Sequence, residues 1–190
     1  MHRSLPFIAG WAVAFSSCAD RADSAPSEPS PGDIVFNELN ATGTAEWLEL
    51  YDAGDHDLDL AGYGVADSDK NTGLARTTKA MHFPPGTVLR KHGFALVLLG
   101  KNDAAPGPYP AAACLPEVDS ACFYAAFSIS AARGETVHVL APDDTTLVSV
   151  TYPADLIFDP SSGSSACRIP DGAGALTTCS ATPSATNAAP

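Results

Sequence analysis

From residue 33 onward, apolar side chains come in short runs that alternate with polar ones, and clusters of Gly, Pro, Asn and Asp separate the runs. This constrains the fold more than any other feature, because a two-residue period matches a half-buried strand and no stretch shows convincing helical periodicity. Ile34 to Asn40 reads as a first strand, with Ile34 and Phe36 on one face and Val35 and Leu39 on the other. Ala45 to Tyr51 reads as its hairpin partner across a turn containing Thr42-Gly43. Leu48 and Leu50 point one way, and Trp47, Glu49 and Tyr51 the other. Phe94 to Leu99 is apolar on both faces and is expected to be central. Thr136 to Leu140 and Leu147 to Tyr152 flank the turn Ala141-Pro142-Asp143-Asp144-Thr145, with Val137 and Val139 inward and His138 outward. The region from Lys101 to Ser120 is rich in Pro and Ala and is either an ordered excursion or a flap. About 155 residues suit one all-β sandwich domain with one core.

Short signatures stand along these strands and turns. Asn37-Glu38-Leu39 comes first, then Glu46-Trp47-Leu48-Glu49-Leu50-Tyr51-Asp52 and Asp59-Leu60-Ala61-Gly62-Tyr63-Gly64-Val65-Ala66-Asp67. Arg168-Ile169-Pro170-Asp171-Gly172 and Thr182-Pro183-Ser184-Ala185-Thr186-Asn187 follow near the end. In this order they resemble the lamin tail domain family, in its secreted bacterial form. The resemblance implies an immunoglobulin-like β-sandwich over residues 33–187, with 188–190 a disordered tail. Tyr63 stands where the family commonly has tryptophan, Asp52 where it has asparagine, and Ser184 where glycine usually follows Thr-Pro. The family has no common reaction.

Residues 1–17 read as a secretory signal, with Arg3 ahead of an apolar stretch, Leu5 to Phe15, that is too short for a permanent membrane span. The run Phe15-Ser16-Ser17-Cys18-Ala19 resembles a lipobox, which would make Cys18 the acylated first residue of the mature chain. The alternative is cleavage after Ala19, which discards Cys18. Residues 18–32 lack aromatic and aliphatic β-branched side chains, so they are expected to form a disordered linker between anchor and domain. Cys114, Cys122, Cys167 and Cys179 then form an even set, and four cysteines allow three connectivities. The nearest-neighbour pairing closes loops worth about 2.6 and about 2.9 kcal/mol in the chain-entropy account. Zinc is the rival use, but the close paired spacings it favours are missing.

Candidate chemistry is sparse. Glu38, Glu49 and Asp67 are the one carboxylate set that could converge into a calcium site, against the reading that they hydrogen-bond turn amides. Asp55-His56-Asp57-Leu58-Asp59 resembles the start of an EF-hand loop but has Leu60 at the sixth position and Ala66 at the twelfth, so it reads as a turn. Trp47 and Tyr51 could flank Glu49 as a platform for a sugar or peptide. The competing reading is that the 168–187 segment covers that face. Ser162 and Ser164 lack a nucleophile elbow, and His56, His82, His92 and His138 follow no metal-ligand spacing. Loss of the leader takes the formal charge from −12 to −13, which repels phosphate backbones and argues against nucleic acid.

These readings combine into a non-enzymatic lipoprotein of the cell envelope, a monomer that serves as a structural or protein-interaction module. No cofactor is expected. The alternative is a ligand-binding module for glycan or calcium, and the partner is an envelope protein or a glycan. If the anchor is cleaved away, the protein is secreted or periplasmic.

Overall fold

The structure is a computed structural model that describes residues 25–42, 45–100, 104–110, 114–115, 122–154, 156 and 163–190. The leader, Cys18, Gly43, Ser162 and most of the 101–120 region lie outside the described residues.

The strands run β1 (Ile34–Asn40), β2 (Glu46–Asp52), β3 (Leu58–Asp59), β4 (Gly64–Asp67), β5 (Met81–His82), β6 (Val88–Leu89) and β7 (Phe94–Leu99). They continue as β8 (Gly107–Tyr109), β9 (Cys122–Ala125), β10 (Gly134–Leu140), β11 (Thr146–Pro153), β12 (Ser164–Cys167) and β13 (Thr177–Ser180). Among the described residues, one sheet has the order β13-β12-β1-β2-β7-β9-β8 and faces a second with the order β11-β10-β4-β5. A short β3-β6 ribbon stands beside them. The pairings are antiparallel except β7 with β9, which run parallel. This is the all-β sandwich read from the alternation, and β7 is central as expected.

The main core lies between the sheets. Leu48, Leu50 and Val97 of the larger sheet meet Val65, Val137 and Val139 of the smaller, all fully buried. The β10-β11 hairpin forms across the Ala141–Thr145 turn, where the Asp143 carboxylate accepts the Thr145 N–H at 3.0 Å. Trp47, Leu96, Leu98, Cys122 and Tyr124 form a smaller apolar cluster. By alternation it sits on the outer face of the larger sheet.

Strict alternation fails in β1. Phe36 pairs with Leu50 and Glu38 with Glu49, so Asn37 is the extra residue of a β-bulge. One inserted residue reverses the phase of everything after it. Leu39 therefore joins Ile34 and Phe36 in the main core rather than opposing them, and Glu38 turns to the outer face beside Glu49.

Other expectations are corrected by contacts between distant segments. His138 was expected outward but is 6% exposed, covered near the backbone of Gly73. The linker expected through Gly32 meets the domain earlier: the Ser27 N–H donates to the Asp57 carbonyl at 3.0 Å, and the Asp59 N–H donates to the Ser27 carbonyl at 2.7 Å. Backbone pairing needs no apolar side chain, so a Ser/Pro-rich segment can add to the edge of β3. The tail expected to be disordered contains a bridge between Ala188 and Ser180.

Cys114 bonds Cys122 and Cys167 bonds Cys179, with Cα atoms 6.2 and 6.1 Å apart, which selects the nearest-neighbour connectivity. Such bonds fit an oxidising compartment. No helix of the described residues is long and apolar enough to cross a membrane. Cys167 and Cys179 are fully buried and tie β12 to β13. Replacing both with alanine is expected to lower unfolding free energy by about 3 kcal/mol in urea denaturation. A loss below about 1 kcal/mol would mean that strand pairing alone holds this edge.

Candidate functional site

The densest buried polar cluster surrounds the bulge. Because Asn37 is the inserted residue, its side chain and carbonyl are available to segments outside the β1-β2 ladder. Its Oδ1 accepts the Gly172 N–H at 2.9 Å, which fixes the amide orientation. Its Nδ2 then donates to Glu49 Oε1 at 3.1 Å and Asp171 Oδ1 at 3.0 Å. The Asn37 carbonyl accepts the Arg168 N–H at 2.9 Å and Asn187 Nδ2 at 3.3 Å. Asn187 Nδ2 also donates to the Arg168 carbonyl at 2.9 Å, and the Asn187 N–H to Asp171 Oδ1 at 3.0 Å.

Glu38 and Glu49 are fully buried and receive donors from the C-terminal segment. Glu38 Oε1 accepts the Ser165 hydroxyl and the Thr182 N–H, the latter at 3.0 Å. Glu49 Oε2 accepts the Ser184 N–H at 2.5 Å. Ser184 holds φ 61°, the left-handed region that glycine adopts most readily. Gly172, at φ 73°, lies so close to Tyr51 that an added Cβ would sit 2.8 Å from the ring. Ser165 belongs to β12, beside β1 in the same sheet, and the loops on either side of β13, residues 168–172 and 182–187, thus form a clasp over the outer face of β1 and β2.

No cation neutralises this cluster among the described residues. Arg168, the one nearby candidate, donates instead to the carbonyls of Phe36 and Gly174, and burial pushes its guanidinium below the ordinary value. Glu49 is pushed up to about 8, chiefly by burial and further by the charges of Glu38 and Asp171, against the lowering effect of its Asn37 and Ser184 donors. Glu38 is raised as well, again chiefly by burial.

The hydrogen count at Thr182 points the same way. Its hydroxyl stands 3.1 Å from Glu38 Oε2 and 2.9 Å from Asn187 Oδ1. Asn187 Oδ1 has to be the acceptor, since its Nδ2 donates to two carbonyls. A hydroxyl has one proton to give, so Thr182 shares it between two acceptors, a competition that the raised pKa of Glu38 eases by favouring its protonated form.

The sequence-derived sites fare differently. Glu38 and Glu49 adjoin, but Asp67 lies in the other sheet, where both its oxygens bind Arg76 at 2.8 and 2.5 Å. The three carboxylates do not converge, because β1-β2 and β4 belong to opposite layers. No group of metal-ligating side chains is assembled among the described residues. Trp47 is 3% exposed within the smaller apolar cluster, so it offers no open ring face to a sugar. Tyr51 packs against His92, Phe94 and Gly172. In the Asp55–Asp59 run, Asp57 accepts the Lys91 N–H and pairs with Arg90, and Asp59 accepts the Ala61 N–H, as a turn does. His82 pairs with Asp144 and His56 with Asp55, far apart in the chain. The joint role of Asn37, Asp171, Thr182 and Asn187 is not legible in their signatures, and Ser165 lies outside any signature. The available signal was that two glutamates on paired strands need donors from somewhere.

The model of the Lamin Tail Domain family matches residues 27–154, well over half of the chain. The match includes Asn37, Glu38 and Glu49 and stops short of the clasp. No curated protein matches the chain significantly.

Hydrogen-bond direction separates two conservative variants. Glu38→Gln can place its amide nitrogen toward Thr182 Oγ1 and keep its carbonyl toward Ser165 and the Thr182 N–H. It is expected within about 1 kcal/mol of the parent in urea denaturation. Glu49→Gln sets an N–H against either Asn37 Nδ2 or the Ser184 N–H, and is expected to cost about 1–3 kcal/mol. Equal losses would refute the assigned directions.

Raised folded-state pKa values also set a pH dependence. Glu49 unfolded ionises near its ordinary 4.5 and folded near 8, so its proton stabilises the fold fully below the former and is lost as pH rises through the latter. Glu38 acts in the same direction. The exposed Asp57 and Asp69, whose values are lowered, act in acid outside this window. His138, which burial holds below its ordinary 6.5, acts the opposite way up to that pH. Unfolding midpoints in urea are therefore expected to fall from about pH 7 toward pH 9, by at most about 1.4 kcal/mol per pH unit for each proton. A flat or rising profile would show that these carboxyls ionise freely in the folded protein.

Proposed function

The chain belongs to the lamin tail domain family, and from that membership we propose that it is a non-catalytic interaction module, exported and held at the cell envelope by a lipid on Cys18. The observation that carries the reading is the use made of the buried polar side chains. Asn37, Glu38, Glu49, Ser165, Asp171, Thr182 and Asn187 bind one another or the backbone, and this supports a role in holding the chain rather than attacking a substrate.

The disulfides suit an exported protein, and the lipobox-like run at Cys18 supports a bacterial lipoprotein whose linker sets the sandwich away from the membrane. The module works as a monomer without a cofactor, and its partner is an envelope protein or a surface glycan. A formal charge of −12 for the whole chain disfavours nucleic acid.

Labelled palmitate should be incorporated by the full chain and not by Cys18→Ala, and only the former should sediment with membranes. Release of the unaltered chain into the medium would overturn the anchor. Cross-linking on intact cells should give a discrete adduct with an envelope component. Turnover of ester, phosphodiester or glycosidic substrates above the buffer rate would overturn the non-catalytic reading.

A further inference from the structure

The few cations of this acidic chain are unevenly placed. Among the described residues, Arg76 pairs with Asp67, Arg90 pairs with Asp57, and Arg168 is taken up by carbonyls. Lys70, Lys79, Lys91 and Arg133 make no close ion pair among the described residues, although Lys70 acts on Glu135 and Lys91 on Asp55 at longer range. All but Lys91 line one cavity of about 440 Å³, which Arg76 also lines.

Both sheets build this cavity. Glu46 begins β2, Asp67 ends β4 and Glu135 lies at the start of β10, while the 126–130 segment after β9 supplies backbone. The acidic groups in the lining already have donors. Glu46 accepts the Ile129 N–H at 2.9 Å, Glu135 accepts the Ser130 N–H at 3.0 Å, and Asp67 holds Arg76. The site therefore combines satisfied carboxylates with exposed, unpaired ammonium and guanidinium groups. The lining sets the four cations Lys70, Arg76, Lys79 and Arg133 against the three carboxylates Glu46, Asp67 and Glu135, so this concave spot has a cationic excess in a protein of formal charge −12. A second chamber of about 510 Å³ shares Lys70, Ser130, Arg133 and Glu135 and is lined further by Thr136 and Thr151. Each volume lies in the range of small-molecule sites, roughly 300–1,000 Å³.

We propose that this cavity binds a small oxyanion-bearing ligand, its carboxylate or phosphate oxygens held by Arg76, Lys79 and Arg133 and its uncharged polar part lying along the hydroxyl-lined second chamber. Arg133 can offer a forked pair of N–H donors that matches an oxyanion, Arg76 offers the donors left over from its pairing with Asp67, and Lys79 and Lys70 supply point charge. The site is separate from the clasp, and the inference does not rest on the lipid anchor or on a protein partner.

Calorimetric titration of the full chain in neutral detergent, with inorganic phosphate, citrate and glucuronate as probes and glucose as the uncharged control, tests it. At least one oxyanion is expected to bind saturably and to weaken as salt is raised. Arg133→Ala and Lys79→Ala should each weaken it roughly tenfold, and Lys91→Ala should leave it unchanged. These side chains are exposed and unpaired, so the variants should keep the circular dichroism and melting of the parent. The tightest probe identifies whether phosphate or carboxylate is the acidic group. Absence of saturable binding by all three oxyanions, equal binding of glucose, or an equal loss in Lys91→Ala would overturn the proposal. None of these results bears on palmitate labelling at Cys18.

Discussion

A carboxyl group taken out of water needs donors, a cation or a proton, and among the described residues Glu38 and Glu49 have donors and raised pKa values that favour the protonated form, but no cation. The rest of the C-terminal third follows from that need. The segment from Ser165 to Asn187 brings the hydroxyls and N–H groups that the two glutamates require, and in return it gains a fixed position across β1 and β2. The bulge at Asn37 is what makes the arrangement geometrically available, since it turns Glu38 outward and frees one amide to bridge Glu49, Asp171 and Gly172. Burial without a counter-ion is tolerable only because the groups are neutral or multiply hydrogen-bonded.

The same accounting separates the two polar regions of the molecule. At the clasp every named side chain is answered by another part of the chain, with Asn37, Glu38 and Glu49 fully buried and Asp171 and Thr182 half-buried. At the cavity between Glu46, Asp67 and Glu135 the acids are answered and three cations are not. A closed network fixes a structure, whereas unpaired charge at a concave surface is free to meet a ligand. The signature residues Asn37, Glu38, Glu49, Asp171 and Asn187 thus belong to the architecture, whereas the unpaired cations Lys70, Lys79 and Arg133 stand outside the signatures.

Legibility in the sequence tracked the range of the interaction concerned. Leu48 with Leu50 and Val137 with Val139 were assigned to the correct face because alternation is a local property. Leu39 was misplaced because a single inserted residue, invisible to a period-two rule, reverses the pattern. His138 and Trp47 occupy the outer sides that alternation assigns them. They are nonetheless buried, because segments distant in sequence lie over them. Ser27 misled for the converse reason: its segment lacks the apolar content of a folded element, yet backbone hydrogen bonds to Asp57 and Asp59 require none.

From the residues alone followed the all-β class, the central position of Phe94 to Leu99, an even set of exported cysteines and the family resemblance. Each depends on local pattern or chain chemistry. Which cysteines join, which carboxylates meet and which cations stay unpaired were decided by the tertiary structure. Those outcomes depend on distances between residues that are not neighbours in the chain, from 8 and 12 positions apart for the cysteine pairs to 83 for Glu46 and Ile129 and 150 for Asn37 and Asn187. Hydrogen bonds and ion pairs act over a few ångströms, and only the packed sheets bring such partners within that reach.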